Sequence, residues 1–128
     1  MKKVFFALLA VCIVAPLTFA QAMPPISTSE MVTVQGTLVD NLCVQAHKPE
    51  ELADYVSTTY DKTCAILPDC AASGYSILSD GKLYKFDAES DAKIVGFLQK
   101  KESTIKVVVT VKKSGDMLTD LVGIENQK

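Results

Sequence analysis

Four side chains of this chain carry thiol or imidazole chemistry at readable spacing: Cys43-x3-His47, followed by Cys64-x5-Cys70. His47 is the single histidine in 128 residues. Three thiols and one imidazole complete a tetrahedral donor set for structural zinc, and no cysteine is then left over. The spacing is not that of a standard zinc finger, and neither CxxC nor the CxxCH of a c-type haem occurs. Copper, which suits soft ligands, would need Met23, Met31 and Met117 beside Cys43 and His47, and these methionines are scattered.

The compartment offers the same thiols another chemistry. "MKKVFFALLAVCIVAPLTFA" runs from two lysines through an apolar stretch to small residues, the pattern of a secretory signal peptide. Cleavage is expected after Ala22. The apolar run, about 17 residues, stands at the lower limit for a spanning helix, so no membrane insertion is expected after cleavage. Val11 before Cys12 argues against a lipoprotein site, and Cys12 leaves with the leader.

A periplasmic or secreted location favours oxidised cysteines. Among the three that remain, Cys43 is expected to pair with Cys64 or Cys70, clasping a loop and stabilising the fold by about 3 kcal/mol. Cys64 with Cys70 is the local alternative. A third thiol left beside His47 would have its pKa lowered by the imidazole and work as a redox couple. A buried, inert cysteine is the plainer expectation. Asp40 reads as a strand-end residue that binds backbone in the turn.

The elements around these residues are legible. Residues 1–22 are the expected signal peptide, 23–30 a Pro- and Ser-rich lead-in, and 31–126 one domain. "VTVQGTLVD" alternates as a half-buried strand, with Gly36 an expected bulge or bend. Residues 41–74 hold the cysteines and show no strand pattern. Pro49-Glu50-Glu51 opens a helix there, with Leu52, Tyr55, Val56 and Tyr60 on one face. "YSILSDGKLYKFD" is a hairpin turning on Asp80-Gly81. Asp87 or Ser90 caps a helix carrying Ala88, Ala92, Ile94, Val95 and Leu98. "STIKVVVTVKK" and "MLTDLVGIE" are two strands joined at Ser114-Gly115. The order is strand, cysteine loop with a helix, strand, strand, helix, strand, strand. It predicts a mainly β fold with helices, a five-stranded OB-like barrel, ahead of a ferredoxin-like sandwich.

With these elements placed, "GTLVDNLCVQAH", "KTCAILPDCAASGYSILSDGKLYKFD" and "KVVVTVKKSGDMLTDLVGIE" together resemble a group of small exported bacterial proteins of uncharacterised function. The resemblance spans most of residues 34–125 and rests on Gly36, Asp40, Cys43, His47, Cys64, Cys70, Gly81, Lys82 and Tyr84. It implies an exported OB-like domain and carries no activity. Some members of that group have a histidine four residues before the second cysteine, where this chain has Tyr60, leaving one polar ligand fewer.

Charge and composition narrow the function further. There is no arginine, and the net charge of −2 becomes about −4 once Lys2 and Lys3 leave with the leader. Nucleic-acid binding, which needs a basic footprint, is not expected. Tyr75, Tyr84 and Phe86 could form a stacking platform, but core and cross-strand packing is the expected role. No Ser-His-Asp order, phosphate loop or carboxylate pair stands out, so enzymatic activity is not expected. Three readings follow. The leading one is an exported binding or accessory module for a small molecule or protein, clasped by a disulfide and without a cofactor. The others are a zinc-type metal protein using Cys43, His47, Cys64 and Cys70, and a thiol-redox protein on the same residues.

Overall fold

The computed structural model describes residues 29–128, so the expected leader and most of the lead-in lie outside the described residues. The element order is β1 (Glu30–Asp40), α1 (Asn41–Ala46), α2 (Pro49–Thr58), α3 (Lys62–Ala65), α4 (Pro68–Ala72), β2 (Tyr75–Ser79), β3 (Lys82–Phe86), α5 (Ala88–Leu98), β4 (Lys106–Ser114) and β5 (Met117–Asn126). Five strands and the helix between the third and fourth fall where the periodicity places them. Residues 41–74 hold four short helices rather than one helix in an irregular loop.

The strands form one mixed sheet that closes in a ring in the order β1-β2-β3-β5-β4, with β4 returning to β1. Every pairing is antiparallel except β3 with β5, which run parallel over Lys85↔Met117 and Phe86↔Leu118. β1 closes the ring by serving two neighbours. Its first part pairs β4 from Glu30↔Lys113 to Thr37↔Lys106, and its last part pairs β2 from Thr37↔Leu78 to Asp40↔Tyr75. Gly36 stands at this handover, where the backbone of β2 comes close. The register irregularity lies instead between Thr110 and Lys112, opposite β5, where Asp120 takes a positive φ of 50°.

Alternating residues fill the ring. Leu38, Ile77, Phe86, Val109 and Leu118 point inward and are buried, and each contributes on the order of 2 kcal/mol of hydrophobic stabilisation. α5 lies against β5 and buries Ile94 and Leu98 in the same core. Asp87 caps this helix by accepting the Ser90 N–H at 3.1 Å, and the buried Ser90 hydroxyl accepts the Leu121 N–H at 3.3 Å. Of the three hairpin aromatics, Tyr75 and Phe86 are core, while half-buried Tyr84 lies under Lys113, whose Nζ stands 4.7 Å from the ring centre. Among the described residues no helix is long and apolar enough to cross a membrane.

The helices that follow β1 extend this core over the end of the strand. α2 starts at Pro49, with Glu50 and Glu51 in the first turn, and buries Leu52 and Val56. Tyr60 and Ala65 complete it, and the Tyr75 hydroxyl donates to the Ala65 carbonyl at 2.7 Å. Lids of this kind explain why β1 changes character: it alternates from Met31 to Gly36 and is fully buried at Leu38, Val39 and Asp40.

Asp91 braces α5 against the start of β2 by accepting the Tyr75 N–H at 2.9 Å. Burial pushes its carboxyl pKa up, with the Tyr75 N–H pulling the other way. A raised native pKa means that the folded state holds the proton more tightly, so this group's contribution falls as pH rises through the carboxylate range. Asp91→Asn keeps the acceptor and removes the charge. Urea denaturation is expected to show Asp91→Asn at least as stable as the parent at pH 7, with the difference shrinking toward pH 3.

Candidate metal centre

The register of the sheet already decides which cysteines meet. Asp40 and Tyr75 are cross-strand partners, so residues 41–74 leave the sheet and return to it at one place. Cys43, three residues out, and Cys70, five residues before the return, are therefore brought together. Cys64 lies farther from either end of the excursion. The ligand atoms of Asp40, Cys43 and Cys70 all fall within 4.8 Å of one another, a cluster able to hold a metal ion.

Short helices aim the thiols. Asp40 is the N-cap of α1 and accepts the Cys43 N–H through Oδ1 at 2.8 Å, which places Cys43 on the first turn directly above it. The same device recurs in α3, where Asp61 accepts the Cys64 N–H at 3.0 Å. α4 begins at Pro68, an N1 position that needs no N–H, and Cys70 follows on the same turn. α1 and α4 are then tied to each other. The Asn41 N–H donates to the Gly74 carbonyl at 2.9 Å, Asn41 Nδ2 to the Ser73 carbonyl at 3.0 Å, and the Leu42 N–H to Ser73 Oγ at 3.1 Å.

Asp40 is fully buried, and Tyr60 locks it in place. The Tyr60 hydroxyl donates to Asp40 Oδ2 at 2.8 Å and accepts the Asp40 N–H at 3.0 Å. A carboxylate has about four lone-pair positions, and those left by Cys43 N–H and Tyr60 face the Cys43 and Cys70 thiols, which also hydrogen-bond to Asp40. The salt bridges of the described residues are Lys82–Asp116, Lys93–Glu89 and Lys112–Asp120, all on the surface. None reaches Asp40. A buried carboxylate beside two thiols lacks a cation, and a metal ion would supply one.

The thiols are held protonated. Burial, then the Asp40 charge, push the Cys43 pKa up to about 11, and the same two causes raise Cys70. This is opposite in direction to the lowering expected from a neighbouring imidazole. Burial also raises the Tyr60 phenol and pushes Tyr55 up to about 12, so both hydroxyls remain donors at neutral pH.

His47 follows α1 and stacks its ring on Tyr55, with centroids 3.9 Å apart, and Tyr55 Oη stands 3.9 Å from Cys43 Sγ. His47 and Cys64 are not among the three converging groups. The three cysteines among the described residues are free thiols in this structure, Cys43 and Cys64 half-buried and Cys70 buried. Asp40 is the ligand candidate that sequence reasoning missed. It does bind turn backbone, as expected, and Asp40-x-x-Cys43 was the available signal: a cap and the residue three later share one turn.

The donor set fits a thiophilic divalent ion. In tetrahedral zinc with Zn–S near 2.3 Å, two sulfurs sit about 3.8 Å apart, so side-chain shifts of about 1 Å would close the cluster. Two thiolates and a carboxylate would hold the ion, leaving one position for water. A groove of about 670 Å³, lined by Thr33, Gln35, Ser79, Tyr84 and Lys113 among others, shares no residue with this cluster. Comparison of the chain with protein-family models, curated proteins and solved structures returned no match.

Proposed function

We propose that this protein is an exported accessory module, built on an OB-type barrel, that binds one thiophilic metal ion of the zinc type through Asp40, Cys43 and Cys70. The carrying observation is the convergence of those three ligand atoms within 4.8 Å around a buried carboxylate. Support for the OB-type assignment is the ring order β1-β2-β3-β5-β4, with α5 between β3 and β4. Support for export is the leader pattern of residues 1–22. Tyr60 acts as an outer partner that orients the carboxylate, a role that metal-ligating carboxylates commonly require.

Zinc competition against a chromophoric chelator, on the reduced protein, tests the assignment. One zinc per chain is expected. Cys43→Ser and Cys70→Ser should each weaken binding by about 100-fold or more, while Cys64→Ser and His47→Ala should stay close to the parent. Losses of the same size in Cys64→Ser or His47→Ala would show that the ligand set is wrong.

A further inference from the structure

We infer that Cys43 and Cys70 form a thiol–disulfide gate on the metal centre: separate they hold the ion, joined they shut it out, and Cys64 is the thiol that stays free. The inference rests on the reading of Asp40, Cys43 and Cys70 as ligands. It adds the condition under which the site is open.

This pair is the one that shares the carboxylate: the Cys43 and Cys70 sulfurs lie within 4.8 Å of each other and of an Asp40 oxygen, a three-way cluster that does not include Cys64. Joining them requires an S–S distance near 2.05 Å and close, correctly aimed Cβ atoms. The backbones that carry them are already braced. Asn41 and Leu42 at the start of α1 are bonded to Ser73 and Gly74, and Ser73 Oγ donates back to the Cys70 carbonyl at 2.6 Å. The same two sulfurs cannot be bonded to each other and also serve as thiolate ligands, so oxidation and metal binding exclude one another.

Disulfide exchange with a small disulfide such as glutathione disulfide completes the chemistry. Cys43 is the more exposed of the two and is the entry point. Its thiolate attacks one sulfur of glutathione disulfide, forming a mixed disulfide and releasing one glutathione thiolate. The Cys70 thiolate then attacks the Cys43 sulfur, forming Cys43–Cys70 and releasing the second glutathione thiolate. The two protons from the cysteine thiols end on the two glutathiones. Two cysteines are oxidised and one glutathione disulfide is reduced.

The experiment equilibrates reduced protein, with and without zinc, against glutathione and glutathione disulfide. Alkylation, intact mass and peptide mapping follow, and zinc content is read on each form. Expected are one alkylated thiol at Cys64, a linked Cys43–Cys70 peptide, and zinc falling from about one equivalent to below about one tenth. Bound zinc should also protect the pair from oxidation, and Cys64→Ser should behave as the parent does. A link through Cys64 would overturn the inference, as would failure of Cys64→Ser to oxidise. Oxidised protein that still binds zinc would sink the gate alone. Reduced protein that binds no zinc would sink the metal reading, and the gate with it.

Discussion

Gly36→Ala is expected to cost the fold about 3 kcal/mol or more, read as a fall in urea midpoint with little change in slope. A methyl at Gly36 would overlap the Leu78 carbonyl oxygen of β2 and also meet Ile77 Cγ1 at 2.9 Å. The nearest obstacle is backbone, so no side-chain rotation relieves it. Gly36 pairs Val107 of β4, and the next residue, Thr37, is the one that pairs both Lys106 and Leu78. Moving this point would strain both ladders of β1 together. Gly96 provides the opposite expectation on the same measurement. It lies in α5 with nothing within 4 Å of an added methyl, so Gly96→Ala should stabilise by about 1 kcal/mol. Equal effects of the two substitutions would contradict the account of the handover.

Tyr60→Phe is the second large effect. It removes one hydroxyl and leaves two buried groups without that partner, the Asp40 N–H and Asp40 Oδ2. The expected cost in the metal-free protein is about 2–4 kcal/mol, because an orphaned buried group loses its full desolvation energy and one of these belongs to a carboxylate. The ring itself is retained, so core packing around Leu52, Val56 and Ala65 should survive. Zinc affinity should fall about 10- to 100-fold as the carboxylate loses its orienting bond. Urea denaturation of the metal-free form and a zinc isotherm read the two losses separately. Unchanged affinity would remove Tyr60, and with it the locked carboxylate, from the site.

These two positions show what the sequence made readable and what it left out. The strands were legible because alternation from Val32 to Val39, the Asp80-Gly81 turn and the valine run of 107–111 are local signals. α2 and α5 were legible for the same reason, through Pro49 and the Asp87 cap. α1, α3 and α4 run only four to six residues, too short for helical periodicity to show. Their marks are caps, Asp40-x-x-Cys43 and Asp61-x-x-Cys64, which read equally as turn residues. Gly36 was expected to bend the strand; its structural role is close approach to β2, a relation between residues about 40 positions apart that no local pattern encodes.

The site follows the same logic. Cys43, Cys64, Cys70 and His47 were identifiable by type, but their grouping depends on the pairing of Asp40 with Tyr75 across the sheet. That register brings Cys43 to Cys70 and adds Asp40, which residue type alone assigned to a turn. His47 went to a stack on Tyr55. Donor identity was thus a property of the sequence, and donor geometry a property of the closed ring.

X-ray absorption at the zinc edge of the reduced, zinc-loaded protein tests the central claim most directly. The account predicts two sulfur neighbours near 2.3 Å with oxygen ligands completing the shell, and no imidazole signature. Three sulfurs, an imidazole contribution, or a shell of oxygen and nitrogen alone would contradict it.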